Sequence, residues 1–282
     1  MQKLYDGIQV DLGDVTLGGV DDSGVGWHIA DLEGWYGPQT RTDIAPREAD
    51  HGAWMGPVYL GERPITLTGV VHAPDRTTLE IALEQLLAAC SLTDTDLTVW
   101  ESTPKRCTVR RSGTPVIKRI GATAASYSLL VTAEDPRRYE LNWQSSTTAL
   151  PSTTGGLILP ATMPWTIDAT SVSGQIAATN TGSIASRPLF TIAGPVQQPQ
   201  VSVLYADGTV RALAYADTLN TGDVLTIDTD AHSVMLGTAS RRRYLSGQWP
   251  EIPPNESVTI AFTAAAYDAS ALLTAQWRSA WL

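Results

Sequence analysis

The sequence predicts a mainly β protein: an N-terminal α+β domain of antiparallel strands with one helix, followed by a β-sandwich. Three observations predict it. Charged residues make up 17% of the 282 positions, against a usual share of about 25%, and Thr, Val, Ala and Gly are plentiful, which suits sheets joined by many turns. In the first half, a single stretch carries a convincing helical period. The second half is a series of short β-branched runs separated by turn residues, with no convincing helix and no internal repeat.

A chain of 282 residues exceeds one ordinary small domain, so two domains are expected. Residues 4–17, LYDGIQVDLGDVTL, alternate weakly around Gly7 and Gly13 and read as short strands. From 18 to 57 the chain reads as a long loop rich in Gly and Pro, with Trp27, Trp35 and Trp54 set among the glycines. Irregular segments of that length usually serve function or assembly, and the tryptophans are expected to pin this one to a surface. ITLTGVV at 65–71 is a clear strand. The helix follows in APDRTTLEIALEQLLAACS: Thr77 and Glu80 fit a capping box, Asp75 offers an alternative cap, and Leu79, Leu83, Leu86, Leu87 and Cys90 line one face. Further strands are expected at 97–101, 107–111, 115–120 and 126–133.

QSSTTALPSTTGG, residues 144–156, has almost no large apolar residue and the composition of a linker. The domains are therefore expected at 1–143 and 158–282, with a linker at 144–157. Beyond it, strands are expected at 188–194, 199–208, 209–215, 223–230, 232–237, 257–264 and 273–282. Asp207-Gly208 marks a hairpin between two alternating runs.

A net charge of −10 argues against a general nucleic-acid binder, which would carry a basic field. Charge is unevenly spread, however. Residues 1–50 hold ten acids and three bases, whereas 105–119 hold Lys105, Arg106, Arg110, Arg111, Lys118 and Arg119 with no acid among them. That basic run is either a solvated strand face or a complement to the acidic N-terminal part on a neighbouring copy. The N-terminus lacks the apolar core of a signal peptide, and no apolar run approaches a membrane span, so a soluble product made in the cytoplasm without membrane insertion is expected.

Chemistry-bearing motifs are scarce. The sequence has no GxSxG, no P-loop, no GxGxxG after a strand and no HExxH. Cys90 and Cys107 show no ligand spacing and read as small buried hydrophobes, and His28, His51, His72 and His232 lie far apart. No metal, cofactor or catalytic residue is assigned, and the protein is not expected to be an enzyme. Glu134, Asp135 and Glu101 are nominal candidates for a carboxylate pair, but neighbours on a strand point to opposite faces. In the second half Trp249, Tyr244, Trp277 and Trp281 either fill the sandwich or offer aromatic faces to a sugar; Trp277 and Trp281 would share a face of a regular strand. Arg241, Arg242 and Arg243 suit either a phosphate or an ion pair between domains or subunits.

The order of the pieces resembles a known family. ERPITLTGVVHAPD, the helix TTLEIALEQLLAAC and SYSLLVTAEDPRRYE resemble the N-terminal domain of siphophage distal tail proteins, the Dit family. In that family the strand closing the first domain commonly ends in an acidic-Asp-Pro stretch with a basic residue and Tyr, here Asp135, Pro136, Arg137 and Tyr139. NTGSIASRPLFTIAG, GDVLTIDTD, WPEIPPNESVTIAF and the terminal AQWRSAW resemble its second domain, a galectin-like or carbohydrate-module-like β-sandwich. Pro253, Pro254 and Asn255 stand where the family usually has Pro-Gly-Asn, so that turn is expected to differ.

What the resemblance implies is a structural virion protein at the distal tip of a long non-contractile tail. It would form a ring, typically a hexamer, around the DNA channel. One face would receive the tail tube and the other would carry tail-associated lysin or fibre proteins, with the tape measure protein as a further partner. An acidic ring would let DNA pass without binding it. Arg110, Arg111, Arg137 and Arg138 are then candidates for contacts between subunits, and Trp249, Trp277 and Tyr244 for carbohydrate. The alternative is a host-receptor or carbohydrate-binding module of the tail tip. On this reading Glu134→Gln and Arg137→Ala should affect packing or ring assembly.

Overall fold

The computed structural model describes residues 7–155 and 169–282, in two compact units. The first runs to Leu141 and takes back Trp281 and Leu282; the second is Asn142–Ala280. Residues 4–6 of the first expected strands, the end of the expected linker and the expected domain start at 158 lie outside the described residues.

The first unit is one antiparallel sheet that closes on itself. Its order is Val15–Leu17, Gln9–Leu12, Thr95–Trp100, Lys105–Arg111, Ala124–Ala133, Arg63–His72 and Gly26–Glu33. Beyond Leu17 the chain meets the far end of this order, where Gly18 N donates to Trp27 O at 2.9 Å and Trp27 N to Gly19 O at 2.7 Å. The two longest strands, 63–72 and 124–133, pair over ten positions, and both alternate buried and half-exposed residues along their length. That period of two is why they form strands, since each turns one face to the core. Gly69 sits mid-strand because a Cβ there would meet His28 O at 2.0 Å; Tyr127 fills the space, and its hydroxyl donates to His28 O at 3.1 Å.

The helix spans Arg76–Ala89 and buries Leu79, Ala82, Leu83 and Leu86 in the core of this unit. Its N-cap is Asp75, whose carboxylate accepts from Thr78 N at 3.0 Å and Thr78 Oγ1 at 2.7 Å, so the earlier of the two expected caps is the one used.

The expected loop 18–57 is corrected in part. Residues Gly26–Glu33 form an eight-residue strand on the edge of 63–72, with a register shift between Ile29 and Asp31. The shift breaks the alternation of Trp27, Ile29 and Leu32, which hid the strand among its glycines.

In the second unit two sheets face each other across one core. One has the order Gln144–Ala149, Leu272–Trp277, Leu189–Ala193, Val224–Asp228, Ser233–Leu236 and Ala239–Ser240. The other runs Gln175–Asn180, Glu256–Thr263, Gln200–Leu204, Val210–Tyr215 and Leu245–Gly247. Phe190, Ile192, Leu225 and Leu273 from the first meet Val201, Val203, Ile260 and Phe262 from the second. This is a β-sandwich.

Residues 144–149, expected in the linker, are a strand paired with 272–277 over six positions. QSSTTA is an edge strand in which Ser145 and Thr147 are exposed, Ser146 is half-buried and Thr148 is buried, so no apolar pattern announces it. The expected run 273–282 is also interrupted. Trp277 belongs to the second unit and Trp281 to the first, so the two indoles share no strand face. Asp207-Gly208 does turn a hairpin, with Leu204 opposite Val210 and Gly208 at a φ of 83°. At the turn after Pro254 the left-handed φ of 54° falls on Asn255, a residue type that tolerates it.

One buried side chain organises an end of the sandwich. Asn180 is fully buried and uses its whole amide. Nδ2 donates to Ile184 O, Ile252 O and Pro253 O at 2.8, 3.1 and 3.2 Å, and Oδ1 accepts from Gly182 N and Ala280 N at 2.9 and 3.1 Å.

Candidate interaction surfaces

The acidic and basic residues of VTAEDPRRYE build a structural corner of the first unit. Asp135 accepts from Arg137 N at 3.1 Å, from the Arg137 guanidinium at 3.2 Å and from the Tyr139 hydroxyl. Glu134 is exposed and lies near Arg110, whereas Asp135 is held by Arg137 and Tyr139. Arg138 is buried. Its guanidinium lies 5.2 Å from the Trp35 ring centroid and 5.8 Å from that of Tyr36, and it donates to the carbonyl of Leu282.

A second buried arginine joins this corner. Arg63 is fully buried; Nε donates to Pro136 O at 2.8 Å, and Nη1 reaches the carbonyls of Gly34 and Trp35. Burial, and next the neighbouring Arg138, pull the Arg63 pKa down to about 10, which leaves it charged at neutral pH. Trp35 Nε1 donates to Glu101 Oε1 at 2.8 Å, and Lys105 Nζ reaches Glu101 Oε2 at 2.8 Å while lying 5.3 Å from the Trp281 ring.

Arg106, Arg110 and Arg119 of the basic run also pair within their own unit. Arg106 pairs with Asp96, Arg110 with Asp94 through two contacts, and Arg119 with Glu80 at 3.1 Å. Arg111 is half-buried, and its backbone N–H holds Ser91 O at 2.8 Å. Of the candidate contact residues, Arg110, Arg137 and Arg138 therefore have partners within the unit.

The corner anchors the root of a projecting arm. Past Trp35 the chain leaves the sheet and returns at Gly61, and no residue from Tyr36 to Leu60 is buried. The two sides pair as a hairpin: Thr40–Arg41 with Tyr59–Leu60, then Ile44–Pro46 with Ala53–Met55. Gly61 N to Gln39 O at 2.7 Å, Gly56 N to Asp43 O at 2.9 Å and Arg47 N to Gly52 O at 3.1 Å join these into one ladder. At strand rise the arm extends roughly 30 Å. It carries Tyr36, Ile44, Trp54, Met55, Val58 and Tyr59, each more than half exposed. An edge this apolar normally lies against another chain. The sequence did offer a signal, since Trp54 sits among polar and glycine residues, but its length read as one loop with Trp27 and Trp35, which are core residues here.

In the second unit the expected aromatic residues separate. Trp277 is 5% exposed and donates Nε1 to Thr179 O at 2.9 Å, so its ring is closed to a sugar. Tyr244 and Trp249 are half-buried against the core. Trp249 stacks on His232 at 4.7 Å, with the Arg242 guanidinium 5.0 Å from its centroid. Tyr244 lies 6.1 Å edge-on to Tyr215, with Arg243 4.6 Å and Arg241 5.7 Å from its ring. Elsewhere in this unit a cleft of about 430 Å³ is lined by Gln197, Thr218, Asn220, Tyr267 and Asp268. Tyr267 at its rim is 60% exposed, an aromatic beside amides that sequence spacing did not single out.

Among the described residues no group of three or more His, Cys, Asp or Glu is placed to hold a metal ion. Cys107 is buried, which pushes its thiol up to about 12, and burial raises Cys90 as well. Among those residues no helix is long and apolar enough to cross a membrane.

No family model and no curated protein sequence matches the chain. Solved structures do. The crystal structure of SPP1 Dit, described as a paradigm of the hub adsorption apparatus in phages infecting Gram-positive bacteria, is 13% identical. The match covers 90% of this chain and 93% of that one at a TM-score of 0.62. A chain of the phage P2 baseplate in its activated conformation with calcium is 11% identical, covering 93% and 99% at a TM-score of 0.46. The chain thus has the fold of a Dit protein, in agreement with its sequence resemblance.

Proposed function

We propose that the protein is a structural component of a phage tail, assembling with copies of itself into a ring at the distal tail end. The observation that carries this reading is the hairpin arm, an exposed apolar ladder held at its root by buried arginines. A closed ring needs one surface patch of each copy to meet a different patch on the next, and an arm reaching across a subunit boundary supplies such a contact. The Dit fold supports the assignment. In this role the ring, hexameric by resemblance, joins the tail tube and tape measure protein to lysin, fibre or hub proteins around the DNA channel. The acidic net charge keeps the channel from holding phosphates. Activity as an enzyme forms no part of the reading.

Native mass spectrometry and negative-stain imaging of the purified chain across micromolar concentrations test it, alone and mixed with the tail tube protein of the same phage. A closed ring in either condition is the expected result. Monomers alone in both would overturn the proposal.

A further inference from the structure

The second unit has six arginines and no lysine, and four of the six gather at one place: Arg211, Arg241, Arg242 and Arg243. Among the described residues none of the four has an ion pair, although Arg187 in the same unit pairs with both Asp230 and Glu251. Each instead lies against an aromatic ring. Arg211 is 5.5 Å from the Tyr205 centroid, Arg242 is 5.0 Å from that of Trp249, and Arg241 and Arg243 lie against Tyr244.

The cluster is built. Arg211 Nη1 donates to Trp249 O at 3.3 Å, Arg242 Nη1 to Leu245 O at 3.0 Å and Arg243 Nη2 to the Tyr244 hydroxyl at 2.6 Å. His232 is held at a φ of 50°, a left-handed backbone uncommon for any residue but glycine, where its ring stacks on the same Trp249. The Arg241 Nε is buried with no hydrogen-bond partner. Asp207 acts on Arg211 electrostatically, but none of the four arginines has an ion pair; four like charges brought together repel one another, and a bound anion would offset that cost. Stacked guanidinium groups keep N–H edges free for two-point contact with carboxylate or phosphate.

We propose that this cluster binds an anionic polysaccharide through its phosphate or carboxylate groups. The same geometry disfavours a neutral sugar, because the faces of Tyr244 and Trp249 are taken by Arg and His. Nucleic acid fits poorly too: a nucleic-acid footprint is a basic stripe following the backbone, and this is one spot on a chain of net charge −10. The site is independent of ring closure.

Calorimetric titration of the full chain tests the proposal, with phosphomannan, polygalacturonate, neutral mannan, polyglutamate and single-stranded DNA as probes. Binding of phosphomannan or polygalacturonate is expected, weakening with added salt, and the preferred one identifies the anion. Arg242→Gln with Arg243→Gln should weaken it about tenfold or more, since each removes a charged hydrogen bond. Both residues are exposed, so the melting temperature should hold; if it falls, Arg211→Gln carries the same expectation. No binding of either anionic polysaccharide at low salt would overturn the proposal. So would equal binding of mannan, polyglutamate or DNA, or affinity unchanged in folded variants.

Discussion

The guanidinium of Arg138 lies 5.2 Å from the centre of the Trp35 indole, and both side chains are buried. Trp35 stands where the chain leaves the sheet for the arm, and its carbonyl is held by Arg63. Arg138 therefore acts on the arm through packing at its root. Arg138→Ala removes that packing, and stability should fall by about 2–4 kcal/mol, as for other changes that open a buried site. Glu134→Gln, four residues earlier and exposed, should stay within about 0.5 kcal/mol. Urea unfolding followed by tryptophan fluorescence measures both. The sequence-based expectation is that Glu134→Gln and Arg137→Ala affect packing or ring assembly, and the same measurement applied to Arg137→Ala tests its packing part. Equal effects of Arg138→Ala and Glu134→Gln would refute the structural ranking.

Glu101 gives this corner a pH dependence. Burial pushes its pKa up, but hydrogen bonds from Lys105 and Trp35, with the Lys105 charge, outweigh it and hold the carboxyl below the usual glutamate value. A folded value below the unfolded one means the contribution is complete above the unfolded value of about 4.3 and is lost as pH falls through the folded value. The stability difference between wild type and Glu101→Gln should then shrink between about pH 6 and pH 3. Denaturant midpoints across that range check it, and a constant difference would contradict it.

Asn180 makes a sharper test in the second unit. Asn180→Asp keeps the shape but turns an oxygen toward the carbonyls of Ile184, Ile252 and Pro253. Both amide N–H groups, which between them reach the three carbonyls, are lost, and a buried charge or an unsatisfied acid replaces them, so a loss of about 3–5 kcal/mol is expected. Thermal unfolding measures it; a melting temperature within a degree or two of wild type, roughly the effect of a surface change, would show the site to be wetter than the structure has it.

These side chains mark the boundary of what was legible. The helix at 76–89 and the 63–72 strand announce themselves because their partners lie within their own period: Leu79, Leu83 and Leu86 recur on one helical face, and the strand alternates without a break. Gly26–Glu33 was hidden by its register shift, and Gln144–Ala149 by an edge position that asks for no apolar residue. The burial of Arg138 depends on Leu282, 144 positions away, and local composition holds no trace of such a contact. The arm was visible only as a long loop. That it is paired follows from Ile44 meeting Met55 and Ala45 meeting Trp54, pairs that need the turn near Gly52 to be recognised first. For the arginine cluster, three of four members are adjacent in sequence, while Arg211 joins through the backbone of Trp249.

The arm supplies the last prediction. Ile44 and Met55 are paired, and Trp54, paired with Ala45, falls on the opposite face of the ladder with Arg47 4.6 Å from its ring; Ile44, Met55 and Trp54 stay 59%, 67% and 66% exposed. Their replacement by Ser, as Ile44→Ser, Trp54→Ser and Met55→Ser together, removes little from the first unit's core. The melting temperature should therefore hold. If the arm buries these side chains against the next copy, each contributes roughly 1.5–3 kcal/mol there, and losing all three weakens every junction of a ring at once. Native mass spectrometry of the triple variant should show the monomer where the wild type shows the ring. A ring that persists at the same concentrations would mean that the arm lies outside the subunit junction.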